Sequence, residues 1–191
     1  MVGTLVGDAE TGIYSAAMTI ANLWIFIPNA LIDSARPLIM QLKADKREEV
    51  YLKRFRQLFA GIIWLSIAAG VFFSVFSNLI IRIIYGSDYL AAVPVLMILI
   101  WSRLFSLIGT TRTIWMICED QAKYVKWFIG LGALINVVLN FIMIPVIGAQ
   151  GAAIATLITE FVSSFLIVAF VKDTRGLFKL IMEAFLLKNI K

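Results

Sequence analysis

The sequence contains no histidine and one cysteine, Cys118. That excludes imidazole acid–base catalysis, a disulfide framework and a Cys/His zinc site. Charge is also scarce. Asp, Glu, Lys and Arg make up 15% of the 191 residues, where a soluble domain carries about 25%. There is no strict apolar–polar alternation between turns, so a transmembrane β-barrel is excluded as well. No connection is long enough to hold a separate catalytic domain, and paired carboxylates of the glycosyltransferase or polymerase kind are missing. The chain is not expected to be an enzyme, to use a cofactor or to hold a metal.

What is present is apolar: 61% of the residues are hydrophobic. Five long stretches are nearly free of charge, at 13–32, 58–76, 90–108, 127–147 and 152–171. Each is long enough to cross the hydrocarbon core of a bilayer as a helix. A helix is also the structure that satisfies its own backbone hydrogen bonds in lipid. The expected fold is all-α, a polytopic bundle of about five spans over 1–172, followed by an amphipathic tail over 173–191. The charges give the register. With five spans, fifteen of the 17 Lys and Arg fall on one side, Arg82 alone falls on the other, and Arg103 lies within a span. By the positive-inside rule the basic side is cytoplasmic, with the C-terminus inside and the N-terminus outside. This bias accounts for the basic balance, so nucleic acid is not an expected partner. The surface run Lys43 to Arg56 is expected to meet anionic lipid headgroups. The opening MVGTLVGDAE lacks the basic start of a signal peptide. The expectation is that Met1 is not the biological start and that Met1 to Val6 end an earlier helix.

Polar residues inside spans are the candidate functional groups. Arg103 is either a cavity cation able to hold a phosphate or a snorkelling or structural charge. Arg112, two and a half turns later, reads most simply as a topology charge at the cytoplasmic rim and secondly as a further contact. Glu160 is a candidate ion-coupling carboxylate, or a structural partner for Arg103. Gly132, Asn136 and Asn140 recur every four residues, as do Gly151, Ala155, Thr159 and Ser163. This spacing predicts a tight hairpin between the last two spans. Asn22, Asn29, Asn136 and Asn140 are the alternative lining of a hydrophilic cavity. Pro28 and Pro94 are expected to kink their helices, and Pro145 to end one.

Three stretches carry a resemblance. The first is Gly7-Asp8-Ala9-Glu10-Thr11-Gly12-Ile13-Tyr14 with Ile27-Pro28-Asn29 and Arg36-Pro37. The second is Ile84-Tyr85-Gly86-Ser87-Asp88-Tyr89. The third is Asn136, Asn140, Ile144-Pro145 and Gly148-Ala149-Gln150-Gly151-Ala152-Ala153-Ile154-Ala155-Thr156, then Glu160. Together they resemble the polysaccharide-transporter branch of the multidrug/oligosaccharidyl-lipid/polysaccharide exporter superfamily, the O-antigen-type lipid-linked oligosaccharide flippases. The multidrug-exporter branch is the nearest competitor, and a non-transporting membrane remnant is a further alternative. The resemblance implies two helical lobes working by alternating access, with this chain forming most of the second lobe. The implied partners are the missing N-terminal lobe, membrane lipids, polysaccharide assembly proteins and an undecaprenyl-diphosphate-linked oligosaccharide. The implied location is a bacterial inner membrane. Arg103 is the first candidate for a head-group contact and Arg36 the second.

Overall fold

The computed structural model describes residues 1–188; the last part of the expected tail, with Lys191, lies outside them. Among the described residues seven α-helices follow in order: α1 Val2–Val6, α2 Asp8–Ala44, α3 Glu48–Tyr85, α4 Ala92–Cys118, α5 Ala122–Glu160, α6 Ile167–Phe170 and α7 Arg175–Phe185. Short 3-10 turns at Ser87–Tyr89 and Lys172–Thr174 and a π-helical segment at Phe161–Leu166 join some of them. No strand occurs among the described residues.

The helices outrun the apolar windows. α2 and α3 have 37 and 38 residues. At 1.5 Å per residue each is about 55 Å long, well beyond a hydrocarbon core of about 30 Å. The charged connection expected at 33–57 is therefore almost all helix, broken only by a tight turn at 45–47. Lys46 takes a positive φ of 57° in that turn. Helical hydrogen bonding does not stop where hydropathy stops, so the spans carry on into the polar zone.

Among the described residues four helical runs are long and apolar enough to cross a membrane: α2, α3, α4 and the 49-residue run Ala122–Phe170. The last would be about 74 Å if straight, but its backbone leaves the helix at Ile147 and Gly148. Gly148 takes φ 55° and ψ −135°, a conformation open to glycine because it lacks a Cβ. Pro145, three residues before Gly148, cannot donate to the preceding turn. Beyond the break the second arm folds back along the first. Asn136 Nδ2 donates to Thr159 Oγ1 at 3.4 Å, and a Cβ on Gly132 would lie 3.0 Å from Ser163 Cβ. The expected fourth and fifth spans occupy the two arms of this hairpin.

α4 is the central helix and packs against α2, α3 and the hairpin. Its Leu96, Leu99, Ile100 and Leu107 are fully buried among Phe55, Phe59, Ile62 and Ile63 of α3 and neighbouring apolar residues. Pro94 sits in the first turn of α4. There a missing N–H breaks no helical bond, so Pro94 does not kink the helix. Large apolar residues such as Phe26, Val75, Ile83 and Phe141 face outward. This is the inverse of a soluble protein and matches a lipid surround. α7 forms the first part of the expected amphipathic tail. Its Leu177, Leu180, Ile181 and Ala184 are buried, and the helix packs on α3. Glu183 accepts from Arg56 Nε at 2.7 Å.

Candidate functional site

Where α4 meets the hairpin and the first part of α2, the packing leaves a cavity of about 620 Å³. α4 contributes Arg103, Ser106, Thr110, Arg112 and Thr113; the hairpin contributes Phe128, Gly132, Asn136, Thr159, Glu160 and Ser163; α2 contributes Tyr14 and Met18. The small residues on the hairpin explain the space. Gly132 and Ala133 offer no bulk, and Gly109 of α4 lies so close to the second arm that a Cβ would meet Ser164 Cβ at 3.1 Å.

Both span arginines point into this space. Arg103 is 7% exposed and Arg112 4% exposed. Arg112 is buried because the hairpin covers it. Its Nη1 donates to the Ser163 carbonyl, which belongs to the π-helical segment. A π turn re-aims its carbonyls relative to an α-helix, and one of them is taken here by a guanidinium. The Arg112 Cζ also stands 4.9 Å from the centre of the Phe128 ring. Arg103 is held more weakly. Its Nη2 donates to Met18 Sδ at 2.7 Å, and thioether sulfur is a poor acceptor. The Nε atoms of both arginines are buried without a hydrogen-bond partner.

Glu160 lines the same cavity and accepts from Ser164 Oγ at 3.1 Å. No ion pair links it to Arg103 or Arg112 among the described residues. Two guanidiniums therefore share one cavity with one carboxylate, and the imbalance favours an anion. Asn140 Nδ2 donates to Asn136 Oδ1 at 2.8 Å, so the two amides run along the inner face of the hairpin and bond to each other. Ala155 is fully buried, and Gly151 backs directly onto the Met143 carbonyl.

The structure does not bring Arg36 or Asn22 to this cavity. Arg36 pairs with Asp33 one turn away, 3.3 Å apart on an exposed face. Asn22 is exposed. Tyr14, Met18, Phe128 and Ser163 line the cavity without having been singled out as its lining in sequence. Tyr14 and Met18 are four residues apart on one face of α2, which is the one local signal that joins them.

A second polar cluster lies at the Lys/Arg-rich end. Lys43 Nζ stands 2.7 Å from Glu119 Oε1 and 3.1 Å from Glu48 Oε2, while Tyr51 OH donates to Glu119 Oε1 at 3.0 Å. Burial lowers the Lys43 pKa, but the hydrogen bonds and charges of Glu119 and Glu48 outweigh it, and the net shift is upward. Burial, then the Glu119 charge, push the Tyr51 phenol and the Cys118 thiol up. The cluster ties α2, α3 and the end of α4 together. Among the described residues no three His, Cys, Asp or Glu side chains gather as a metal site.

Comparison with known proteins places the chain. It is 28% identical over 173 residues to the probable flippase AglR of Haloferax volcanii, covering 88% of this chain and 36% of that protein. It is 22% identical over 166 residues to the probable low-salt glycan biosynthesis flippase Agl15 of the same organism, covering 87% and 35%. The chain thus spans about a third of the length of the curated relatives it matches. No solved structure matches it. Residues 1–142 match the MatE family. With its membrane-length helices, the chain is a multi-pass membrane protein that belongs to the MatE family.

Proposed function

We propose that this chain forms most of one lobe of a flippase for lipid-linked oligosaccharides. The substrate class is a polyprenyl-diphosphate-linked glycan, undecaprenyl in a bacterial inner membrane, carrying an O-antigen or another surface polysaccharide unit. The observation that carries the reading is the pair of buried guanidiniums, Arg103 and Arg112, in one cavity with unpartnered Nε atoms. Guanidinium forks match phosphate oxygens in bidentate fashion, and they do so best where water is scarce. The names of the two relatives support a flippase. In this reading the diphosphate–sugar head enters the cavity, the lipid tail stays in the bilayer, and the lobe rocks against a second lobe supplied by further helices. Asn136 and Asn140 offer amides to sugar hydroxyls. The Lys/Arg-rich end is cytoplasmic by the charge bias. Transport breaks no covalent bond, so no catalytic residue is assigned.

A multidrug exporter of the same superfamily is the second reading. It calls for a cavity that attracts organic cations, and two arginines against one Glu160 weigh against that. The deciding experiment measures binding of a polyprenyl-diphosphate oligosaccharide and of a lipophilic cation to the protein in detergent. A hydrogen bond to a charged group contributes about 1.5–3 kcal/mol. Arg103→Ala is therefore expected to weaken the diphosphate lipid at least about tenfold and leave the cation unaffected. Unchanged diphosphate affinity, or a preference for the cation, overturns the proposal.

A further inference from the structure

Two of the sequence motifs meet at the Arg-poor end of the bundle, 139 residues apart. Glu10, in the first turn of α2, accepts a hydrogen bond from the backbone N–H of Ala149 at 2.6 Å. Ala149 opens the second arm of the hairpin, immediately after the Gly148 break. The first N–H groups of a helix arm have no partner within it and carry its positive dipole end, so a carboxylate binds there firmly. The contact is tight. A Cβ on Gly148 would run into the Glu10 carboxylate, so the glycine is required both by its φ and by Glu10.

Behind this bond lies an apolar plug. Val2 of α1 packs with Ile144 and Ala152 of the hairpin tip, and Val6 and Tyr14 cover them. Tyr14 also lines the arginine cavity. Glu10, Tyr14 and Met18 recur every four residues along one face of α2. They do three things in order: Glu10 bonds the hairpin tip, Tyr14 floors the cavity, and Met18 holds the Arg103 guanidinium.

We propose that the Glu10–Ala149 bond is the bolt of a gate that seals the cavity at the Arg-poor end. Glu10 is a positioning residue in this scheme. It touches no substrate and acts by holding the start of α2 against the hairpin tip. Because Met18 rides on the same helix face, a group that takes Arg103 from Met18 loosens the segment that Glu10 fastens. Charge on a bound head is thereby linked to opening at the opposite end from the Lys/Arg-rich cluster. The gate gives the proposed transport cycle its direction-dependent step, but its own operation requires no particular glycan.

The test is side-specific thiol labelling in sealed membrane vesicles of both orientations. Cys118→Ser removes the native thiol and Ser106→Cys places a reporter in the cavity. Labelling by a membrane-impermeant maleimide is compared with and without Glu10→Ala. The expected result is at least about a fivefold rise in labelling from the Arg-poor face and no change from the other face. Glu10→Gln keeps a carbonyl acceptor and is expected to fall between. Where Glu10→Ala fails to reach the membrane, Glu10→Asp, one methylene shorter, carries the same expectation. Unchanged labelling overturns the gate. An equal rise from both faces overturns it too, since that is general loosening. Labelling needs no substrate, so loss of the gate and loss of the diphosphate reading are separate results.

Discussion

Replacing Arg103 by Met separates a binding charge from a structural one. Arg103 is 7% exposed, its one hydrogen bond goes to a thioether, and its Nε has no partner. An arginine within a span costs about 2.5–3.5 kcal/mol on insertion scales. A structural arginine recovers that through ion pairs and carbonyls, and removing it destabilises by about 3–5 kcal/mol. Arg103 has no ion pair among the described residues. Leaving a buried donor unmade costs about 1–3 kcal/mol, and cavity water offsets part of this. Arg103→Met keeps the length of the apolar stem and removes the charge. The substitution is expected to leave stability unchanged or raise it by about 1–2 kcal/mol. Reversible unfolding in mixed micelles reads this, with diphosphate-lipid binding measured in parallel. The expected pattern is stability kept and binding lost. A loss of more than about 1 kcal/mol would refute the reasoning, because the guanidinium would then be supporting the fold.

Gly132→Val forces the hairpin arms apart, since a Cβ alone would already lie 3.0 Å from Ser163 Cβ; a loss of about 1–3 kcal/mol is expected in the same unfolding assay, and an unchanged midpoint speaks against the close contact. The cluster at the Lys/Arg-rich end makes stability pH-dependent. Because Lys43 is raised above its ordinary value of 10.5, its contribution is fully present below that pH and is lost as pH rises through the folded-state value. Unfolding across alkaline pH should show this decline, and Glu119→Gln should flatten it; an identical slope in the variant rejects the assignment to Lys43.

Membrane residence, the all-α class and the side on which basic charge collects were legible in the sequence. Each depends on a sum over neighbouring residues: apolar transfer energy along a window, and the count of Lys and Arg between windows. The hairpin was legible for a related reason. Gly132, Asn136 and Asn140 repeat at helical spacing, and so do Gly151, Ala155 and Thr159, and glycine with proline punctuates the chain between them. Helix ends were not legible, because α2 and α3 stay helical well past their apolar windows. Nor was the partner of the amphipathic helix α7, whose apolar face suits a lipid surface or α3 equally by pattern.

Only the tertiary structure decided which polar residues meet. Arg103 and Arg112 are nine residues apart, which on an ideal helix places them about half a turn out of phase. Nothing in their spacing puts them in one cavity; the hairpin does, by leaving room beside Gly132 and presenting the Ser163 carbonyl to Arg112. Arg36, the second candidate by sequence, has the same charge, yet it stays on an exposed face with Asp33. The bond from Glu10 to Ala149 joins residues 139 apart in the sequence. Hydropathy is additive along one dimension, so the sequence settles where the chain resides. Contacts depend on which faces of separate helices are turned together, and that is fixed when the helices pack around α4.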